Sequence, residues 1–169
     1  MIPFGTFCSG IGAPEVASHG LGFEPIFNSE IESFPSRVLA HHWPTVPNLG
    51  DFTKIGSDWL DKIRILVAGT PCQAFSVAGL RNSLDDERGN LTLEFVKKVH
   101  AARHLFCALW ENVPGVLSTD DNAFGCFLGA LVGANDPLLP TNTPPPWTIN
   151  PGLALAQGRK ISHSRRRRE

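Results

Sequence analysis

The sequence predicts an α/β fold in which helices cover a parallel β-sheet. Short apolar runs alternate with amphipathic stretches over residues 1 to about 132, and turns that contain glycine or proline separate them. Strands that alternate with helices are typical of parallel sheets buried on both faces. Ligands of such sheets bind beyond the carboxyl ends of the strands, and each polar cluster described below follows a predicted strand.

The individual elements follow from this patterning. Strands and helices are expected, alternately, at Ile2 to Phe7, Pro14 to His19, Gly22 to Asn28, Ser33 to His42, Ile63 to Ala68, Leu91 to His104, Leu105 to Trp110 and Phe124 to Val132. Ser33 is the expected N-cap of the second helix, and Pro35 suits its first turn, where a missing N–H loses no hydrogen bond. A further short strand is expected to end near Asp51.

The composition excludes several classes of protein. The hydrophobic fraction of 42% and the charged fraction of 18% are ordinary for a soluble domain. No apolar run approaches the roughly 20 residues of a membrane span, and no basic segment precedes an apolar stretch at the N-terminus. These features predict a cytoplasmic protein that does not enter a membrane. The four cysteines make no CxxC pair and indicate reduced thiols.

Charge and proline content divide the chain in two. Residues 133–169 carry six of the 14 prolines and end in Arg165 to Arg168 followed by Glu169. Without those last five residues the chain has 11 basic and 15 acidic side chains, a net charge of −4. We therefore predict one folded domain over 1–132 and an irregular, proline-rich and arginine-rich tail over 133–169. The acidic body is not an electrostatic DNA clamp, so either a basic surface is missing from this chain or DNA is not its ligand.

The first polar cluster follows the first strand and contains Gly10 and Gly12, which allow a tight turn and close approach to a ligand. A dinucleotide fingerprint would have a third glycine where Glu15 stands; a carboxylate there argues against a pyrophosphate and tolerates a cationic cofactor. Glu30 follows the second strand and is suited to ribose hydroxyls, and Asp51 is suited to an adenine amino group. Separately these are a plain turn and surface carboxylates; together they favour an adenosine-type ligand.

Two further clusters follow later strands. Cys72 begins a polar loop directly after an apolar run, which suits an exposed nucleophile under a mobile lid, although a lone cysteine is more often structural. Glu111 and Asn112 follow the run that ends at Trp110, and a carboxyl group there can give a proton or hydrogen bond to a substrate ring. The alternative is that Glu111 caps the next segment and Asn112 turns the chain.

A metal site is not expected. His100, His104 and Cys107 have near-ligand spacing, but they cross a predicted helix–strand boundary and no HExxH is present. The Pro71-Cys72 pair lacks the HxE and PCxxC elements of a zinc deaminase.

In this order, the segments FCSGIGAPEVA, NSEIE, GDFTKI, GTPCQAFSVAG, RGNLTLEF and WENVPGVLS resemble successive motifs of the DNA cytosine-5 methyltransferase family, over about residues 3–132. The resemblance implies a Rossmann-like sheet of the S-adenosylmethionine-dependent methyltransferase type. It also implies S-adenosylmethionine as cofactor and double-stranded DNA as partner.

The resemblance further implies a role for each matched residue. Cys72 attacks C6 of a flipped cytosine, and Glu111 hydrogen-bonds N3 of the ring so that C5 accepts the methyl group. The cofactor positions are Phe7, Gly10, Gly12, Glu30, Ile31, Asp51, Phe52 and Leu91. The positions assigned to the substrate are Pro71, Gln73, Asn112 and Arg166.

The chain departs from the family pattern after its ENV motif. The family continues with a Gln-Arg-x-Arg element, a target recognition region and two closing motifs, whereas here Ser164 precedes Arg165 to Arg168 where glutamine is expected. The resemblance therefore implies the N-terminal part of a truncated enzyme whose sheet is incomplete at the C-terminal end. A second chain could supply the recognition region, and the setting would be a restriction-modification or phage system.

Three alternatives stay open. The chain could be a tRNA cytosine-5 methyltransferase, although a residue other than Gln73 would then be expected. It could be an inactive remnant or split half that binds cofactor or a partner chain without catalysis. It could also be a nucleotide-binding oxidoreductase of similar topology, in which Cys72 and Glu111 would have no role. Binding of S-adenosylmethionine or of a nicotinamide separates the last alternative from the others.

Overall fold

The computed structural model describes residues 1–71, 91–117, 122–134 and 136–139. In these ranges strands and helices alternate along the chain as the sequence predicted. The elements are β1 (Ile2–Phe7), α1 (Ala13–Ser18), β2 (Phe23–Phe27), α2 (Ser33–His42), α3 (Ser57–Leu60), β3 (Ile65–Ala68), α4 (Leu91–Ala101), β4 (Cys107–Trp110) and α5 (Ala123–Leu131). Two 3₁₀ turns cover Phe52–Lys54 and Pro114–Leu117.

The described strands form one parallel sheet in the order β2-β1-β3-β4. Phe7 at the end of β1 pairs with Ala68 at the end of β3, and Ala68 pairs with Trp110 at the end of β4. The chain leaves these three strands at the same edge of the sheet. Because β2 and β3 lie on opposite sides of β1, the strand order reverses at β1, which is where parallel sheets form a ligand crevice.

An aromatic core holds the helices on this sheet. Phe27, Phe95 and Phe127 are at most 1% exposed, and burying such a ring contributes about 1.5–3 kcal/mol. Gly5 in β1 makes room for one of them, since a methyl group there would lie 2.3 Å from the Phe27 ring. The core thus fixes the relative positions of the strand ends that carry the candidate site.

Two local predictions were wrong. Glu32, not Ser33, is the N-cap of α2, and no side chain caps this helix end. The strand expected before Asp51 is reduced to a single bridge between Asn28 and Asn48. Pro47 has no N–H to extend a ladder, and Gly50 turns the chain with a left-handed φ of 71°.

The helix predicted to reach His104 ends at Ala101, and the following strand begins at Cys107 instead of Leu105. Among the helices in the described part of the chain, none is long and apolar enough to cross a membrane.

Candidate active site

The turn between β1 and α1 has a left-handed backbone at Cys8, Gly10 and Gly12, with φ angles of 51°, 55° and 89°. No described atom lies within 4 Å of the position that a methyl group on Gly10 would occupy, so the backbone is open to a ligand there. A methyl group on Gly12 would instead lie 2.3 Å from the ring of Trp43. Gly10 therefore leaves room above the turn, and Gly12 leaves room for Trp43.

Glu30 is fixed beside this turn by backbone donors. Its Oε2 accepts a hydrogen bond of 2.8 Å from the Gly10 N–H, and its Oε1 accepts one of 2.8 Å from the Glu32 N–H. Asn48 binds the Glu30 backbone on both sides, accepting from its N–H at 2.9 Å and donating to its carbonyl at 3.0 Å. Each carboxylate oxygen keeps lone pairs that can accept from the hydroxyl groups of a ligand. The structure thus brings together the glycine turn and the carboxylate predicted to serve it.

The environment of the turn keeps the Cys8 thiol neutral. Burial raises the pKa of the Cys8 thiol to about 11, and the negative charges of Glu30 and Asp51 make smaller contributions to this shift. This thiol is therefore protonated at neutral pH. Burial disfavours a charge of either sign, so it is the negative charges of Glu30 and Asp51 that would favour a positively charged ligand at the same place.

Asp51, whose charge contributes to this effect on Cys8, is the N-cap of the first 3₁₀ turn. Its Oδ1 accepts hydrogen bonds from the Thr53 N–H at 3.0 Å and the Thr53 hydroxyl at 2.8 Å. Burial raises the pKa of Asp51, but the hydrogen bonds from Thr53 and the charge of Lys54 outweigh it, so the pKa lies below its usual value. Asp51 is thus an ionised acceptor, and its second oxygen lies 3.6 Å from Lys54 Nζ in an exposed ion pair.

The remaining predicted cofactor residues divide into buried and exposed. Phe7 and Phe52 are 1% and 4% exposed, and their rings stack with centroids 4.8 Å apart, so both rings belong to the core. Ile31, next to Glu30, is 73% exposed and presents an apolar side chain to the surface. Leu91 is the first residue of α4 and packs, half-buried, against the core.

The ends of β3 and β4 are tied together at Thr70, two positions before Cys72. The Trp110 indole N–H donates to the Thr70 hydroxyl at 2.8 Å, and the Asn112 amide donates to the Thr70 carbonyl at 2.8 Å. Asn112 Oδ1 also accepts from the Val113 N–H at 2.9 Å. Both polar groups of the Asn112 side chain are therefore engaged within the protein.

Glu111 directly follows β4 and lies at the same edge of the sheet as the end of β3. Its N–H donates to the Ala68 carbonyl at 2.9 Å and continues the pairing of the two strands. A methyl group on Gly69 would lie 3.4 Å from Glu111 Oε2 and 4.0 Å from the Cys8 carbonyl oxygen. Gly69, from which the chain continues through Pro71 to Cys72, thus lies next to both the Glu111 carboxyl group and the glycine turn at Cys8.

Three predicted residues lie outside the described part of the chain: Cys72, Gln73 and Arg166. Pro71 is described and is exposed. Within the described ranges, no three His, Cys, Asp or Glu side chains come together in a way that could hold a metal ion. His100, weighed above as a ligand, has its Nε2 2.8 Å from the Ala130 carbonyl oxygen.

Sequence reasoning missed the roles of Thr70 and Trp110. The available signal was the indole N–H of a tryptophan at the end of an apolar run, since a buried indole needs a hydrogen-bond acceptor. The pattern did not identify which acceptor it finds, because Thr70 and Trp110 are 40 positions apart and meet only in the folded sheet.

Comparison with known proteins gives a family match. The family described as C-5 cytosine-specific DNA methylase matches residues 2–131. A protein of Escherichia phage P1 named DNA N-6-adenine-methyltransferase is 50% identical over an alignment of 153 residues that covers 83% of this chain and 20% of that protein. The orphan methyltransferase M.SPRI of Bacillus phage SPR is 37% identical over an alignment of 116 residues that covers 66% of this chain and 26% of that protein. The chain spans about a fifth to a quarter of the length of these two relatives.

A solved structure has the same architecture. A putative DNA modification methyltransferase encoded within an Escherichia coli prophage superposes with a TM-score of 0.62 at 21% identity, covering 79% of this chain and 38% of that one. At this level of identity the similarity establishes a common fold.

Proposed function

This chain belongs to the C-5 cytosine-specific DNA methylase family, and we propose from that premise that it carries the catalytic residues of a DNA cytosine-5 methyltransferase. Its fold is the Rossmann-like parallel sheet of S-adenosylmethionine-dependent methyltransferases, as the sequence predicted. Because the chain spans only part of the length of its relatives, the activity, substrate and partners of the whole protein belong to the proposal.

S-adenosylmethionine is the cofactor that the family and the fold support. The described residues fit it: Gly10 leaves open space above the turn, Glu30 offers fixed acceptors, and the negative charges of Glu30 and Asp51 beside Cys8 would favour a sulfonium cation. Glu30 would hold the ribose hydroxyls, and Ile31 and Asp51 would contact the adenine. When bound, the cofactor supplies an electrophilic methyl group.

In the proposed reaction Cys72 and Glu111 activate the cytosine. The Cys72 thiolate forms a bond to C6, and the electron pair of the C5–C6 double bond moves to C5. Glu111 hydrogen-bonds N3 and favours its protonation, so the ring accommodates the added electrons. C5 is then nucleophilic enough to accept a methyl group. Loss of the C5 proton re-forms the double bond, breaks the bond from sulfur to C6 and releases Cys72.

One observation carries this proposal: a methyl group on Gly69, three positions before Cys72, would lie 3.4 Å from Glu111 Oε2 and 4.0 Å from the Cys8 carbonyl oxygen of the glycine turn. The proposed acid–base group and the proposed cofactor turn therefore both lie next to Gly69, at one edge of the sheet. Asn112, predicted to bind the substrate, supports the proposal differently, by holding Thr70 through its amide.

The test is covalent trapping with DNA that contains 5-fluorocytosine, in the presence of S-adenosylmethionine. Fluorine cannot leave as the C5 proton does, so an enzyme of this mechanism stays attached to the DNA. We expect a DNA adduct of the unsubstituted protein and of Cys126→Ser, a control outside the proposed site, and none with Cys72→Ser. A serine hydroxyl has a far higher pKa than a thiol and gives no useful anion at neutral pH. An adduct that survives Cys72→Ser would assign the nucleophile to another residue.

A second candidate is N6 methylation of adenine, favoured by the name of the phage P1 relative. This chain covers only 20% of that relative, and the family that matches here is the cytosine one. Methylation of an exocyclic amine needs no thiol addition to the ring, so Cys72 would have no role in that reaction. Mass spectrometry of nucleosides from treated DNA separates the two: we expect 5-methylcytosine, and N6-methyladenine alone would select the second candidate.

Several finer predictions from the sequence remain part of the proposal. They are the duplex form of the DNA, a second chain that supplies a recognition region, a cytoplasmic location, a restriction-modification or phage setting, and the division into 1–132 and 133–169. The tRNA substrate and the inactive remnant remain the alternatives, and the trapping experiment distinguishes the latter from an active enzyme.

A further inference from the structure

Helix α1, which follows the proposed cofactor turn, packs against the rest of the fold through a buried acidic side chain. Glu15 is the buried residue of this six-residue helix and is 3% exposed. The neighbouring apolar residues face outward, with Ile11 59% and Val16 65% exposed. Burial of a carboxyl group in place of an aliphatic side chain is costly unless its hydrogen bonds are used, so the contacts of Glu15 are informative.

The Glu15 carboxyl group lies at the end of a buried chain of hydrogen bonds. Glu15 Oε1 accepts from the Thr6 hydroxyl at 2.9 Å, and the Thr6 and Ser9 hydroxyl oxygens are 2.7 Å apart. Ser9 Oγ accepts from the Ser29 N–H at 2.8 Å, and Asn28 Oδ1 lies 3.3 Å from the Thr6 hydroxyl. The chain connects α1, β1, the cofactor turn and the segment after β2 that leads to Glu30.

The other carboxyl oxygen indicates the protonation state. Glu15 Oε2 is buried and has no hydrogen-bond partner among the described residues. A bare ionised oxygen in this position is far more costly than a neutral carboxylic acid. Burial raises the pKa of Glu15, and the hydrogen bonds from its own backbone N–H and from Thr6 offset this only in part.

Among the described residues, the ionisable groups on the elements next to Glu15 bring no positive charge. β1 and the rest of α1 contribute no ionisable side chain, and the turn contributes Cys8, which is neutral because of its raised pKa. Glu30, after β2, is bound by the Gly10 N–H, and Glu24 on β2 is exposed. β1, α1, the turn and β2 therefore offer no cation that would keep Glu15 ionised.

We propose that Glu15 is a positioning residue for the cofactor turn that acts through its hydrogen bonds and not through its charge. It fixes Thr6 and Ser9, and through them the turn that carries Gly10. The inference rests on the proposed function, because the turn must bind S-adenosylmethionine for this role to affect binding. The sequence suggested only that a carboxylate at this position tolerates a cationic cofactor.

The two roles predict opposite pH dependences. A carboxyl group whose folded-state pKa is raised holds a proton that the unfolded chain has already lost. Its stabilising effect is complete below the ordinary carboxyl pKa and is lost as the pH rises through the raised value. Cofactor affinity that depends on this network falls over the same window. If the charge attracted the sulfonium instead, affinity would rise as Glu15 ionised.

The test is calorimetric binding of S-adenosylmethionine and of S-adenosylhomocysteine, which has no positive sulfur. We expect Glu15→Gln to keep affinity for both ligands within about threefold and to flatten the pH profile, because an amide keeps the hydrogen bond to Thr6. Glu15→Ala should weaken both ligands equally, by about tenfold for a lost buried hydrogen bond. Glu24→Gln, the same change on the surface of β2, should behave as the unsubstituted protein.

Loss of S-adenosylmethionine binding alone in Glu15→Gln would overturn the inference in favour of the charge, and unchanged binding in Glu15→Ala would overturn the positioning role. Where Glu15→Ala does not fold, Thr6→Val and Thr6→Ser replace it: the valine should weaken both ligands, and the serine should restore binding.

A measurement without ligand separates this inference from the proposed function. The carbonyl stretch of a protonated acid, taken as the infrared difference between the unsubstituted protein and Glu15→Gln, reports the titration of Glu15 directly. We expect it to persist above the usual pH range of a glutamic acid, and titration in the usual range would overturn the inference. If no variant binds S-adenosylmethionine, the proposed function fails while this titration still decides the state of Glu15.

Discussion

A single carboxylate, Glu30, shows how much of the cofactor site depends on individual side chains. Its two oxygens accept from the backbone N–H groups of Gly10 and Glu32, so its position is set before any ligand arrives. A carboxylate fixed in this way avoids the entropic cost of ordering a free side chain on binding.

We expect Glu30→Ala to weaken S-adenosylmethionine binding by about 1.5–3 kcal/mol, the usual range for hydrogen bonds to a charged group. Glu32→Ala is the matched control, because the Glu32 side chain makes no capping hydrogen bond at the start of α2. Isothermal titration calorimetry measures both. A similar loss in the two variants would show that the effect comes from net charge and not from the hydrogen bonds of Glu30.

At the scale of elements, side-chain hydrogen bonds join the ends of β3 and β4. The Trp110 indole reaches across from β4 to the Thr70 hydroxyl after β3, and Thr70 is 3% exposed. A buried hydroxyl that loses its indole partner costs free energy without any change in apolar packing.

A double-mutant cycle with Trp110→Phe and Thr70→Val tests this link. Each substitution should lower the free energy of unfolding, and the pair should show a coupling of about 1 kcal/mol, since both remove the same hydrogen bond. Urea unfolding followed by circular dichroism gives the four values. Thr70→Ser keeps the hydroxyl and should retain the coupling, and strictly additive losses would contradict the link.

Helix α4 is connected through Lys98 to the 3₁₀ turn that follows Asp51. Lys98 Nζ donates to the carbonyl groups of Thr53 and Ile55, each at 2.7 Å, and so holds the turn that begins with Asp51 and Phe52. The adjacent Lys97 makes an exposed ion pair with Glu94 within the same helix.

We expect Lys98→Met to lower the free energy of unfolding by about 1.5–3 kcal/mol, because two carbonyl groups lose a charged donor. Lys97→Met should cost less than about 1 kcal/mol, as exposed ion pairs do. Denaturant titration of both variants provides the comparison. If the two lysines proved equivalent, the contact to Thr53 and Ile55 would contribute nothing beyond a surface pair.

For the whole molecule, the sheet was predictable because its signal is local. The run Ile2 to Phe7 is apolar except for Thr6, and that is the strand observed. The clustering of Gly10, Glu30 and Glu111 at one edge followed from the rule that parallel strands place their ends together. What the patterning could not give were contacts between distant residues. The burial of Glu15 against Thr6 is an example, since helix periodicity treats a glutamate as a surface residue.

The secondary structure at Asp51 was predicted wrongly for a related reason. Its neighbourhood looked like the end of a strand, but Asp51 binds the Thr53 backbone and starts a 3₁₀ turn. Aspartate competes for local backbone donors, and that competition decided the structure here.

We expect residues 1–169, expressed alone, to bind DNA weakly and without sequence preference. Specific readers bury about 1,000–2,500 Å² of protein surface, and the related enzymes are several times longer than this chain. Binding through Arg165 to Arg168 should give a log–log salt slope of about −3 to −4, since each neutralised phosphate contributes about −0.9.

Fluorescence anisotropy over a salt series measures this slope, and a variant with serines in place of the four arginines should lose most of it. Sequencing of methylcytosine in a mixed-sequence duplex gives the second readout. Methylation confined to one short sequence context would contradict this prediction and require a recognition element within the 169 residues.

The fit of Trp43 against Gly12 has a consequence for how this chain can vary. A methyl group at position 12 would overlap the indole ring, and the left-handed φ of 89° would strain any residue with a Cβ there even beside a smaller side chain at position 43. Homologous sequences should therefore keep glycine at position 12 whatever residue they carry at position 43, and a designer who replaces the tryptophan gains no freedom at the glycine. A glycine that stays constant while position 43 varies would be a record, in sequence alone, of a constraint set by the backbone and not by its packing partner.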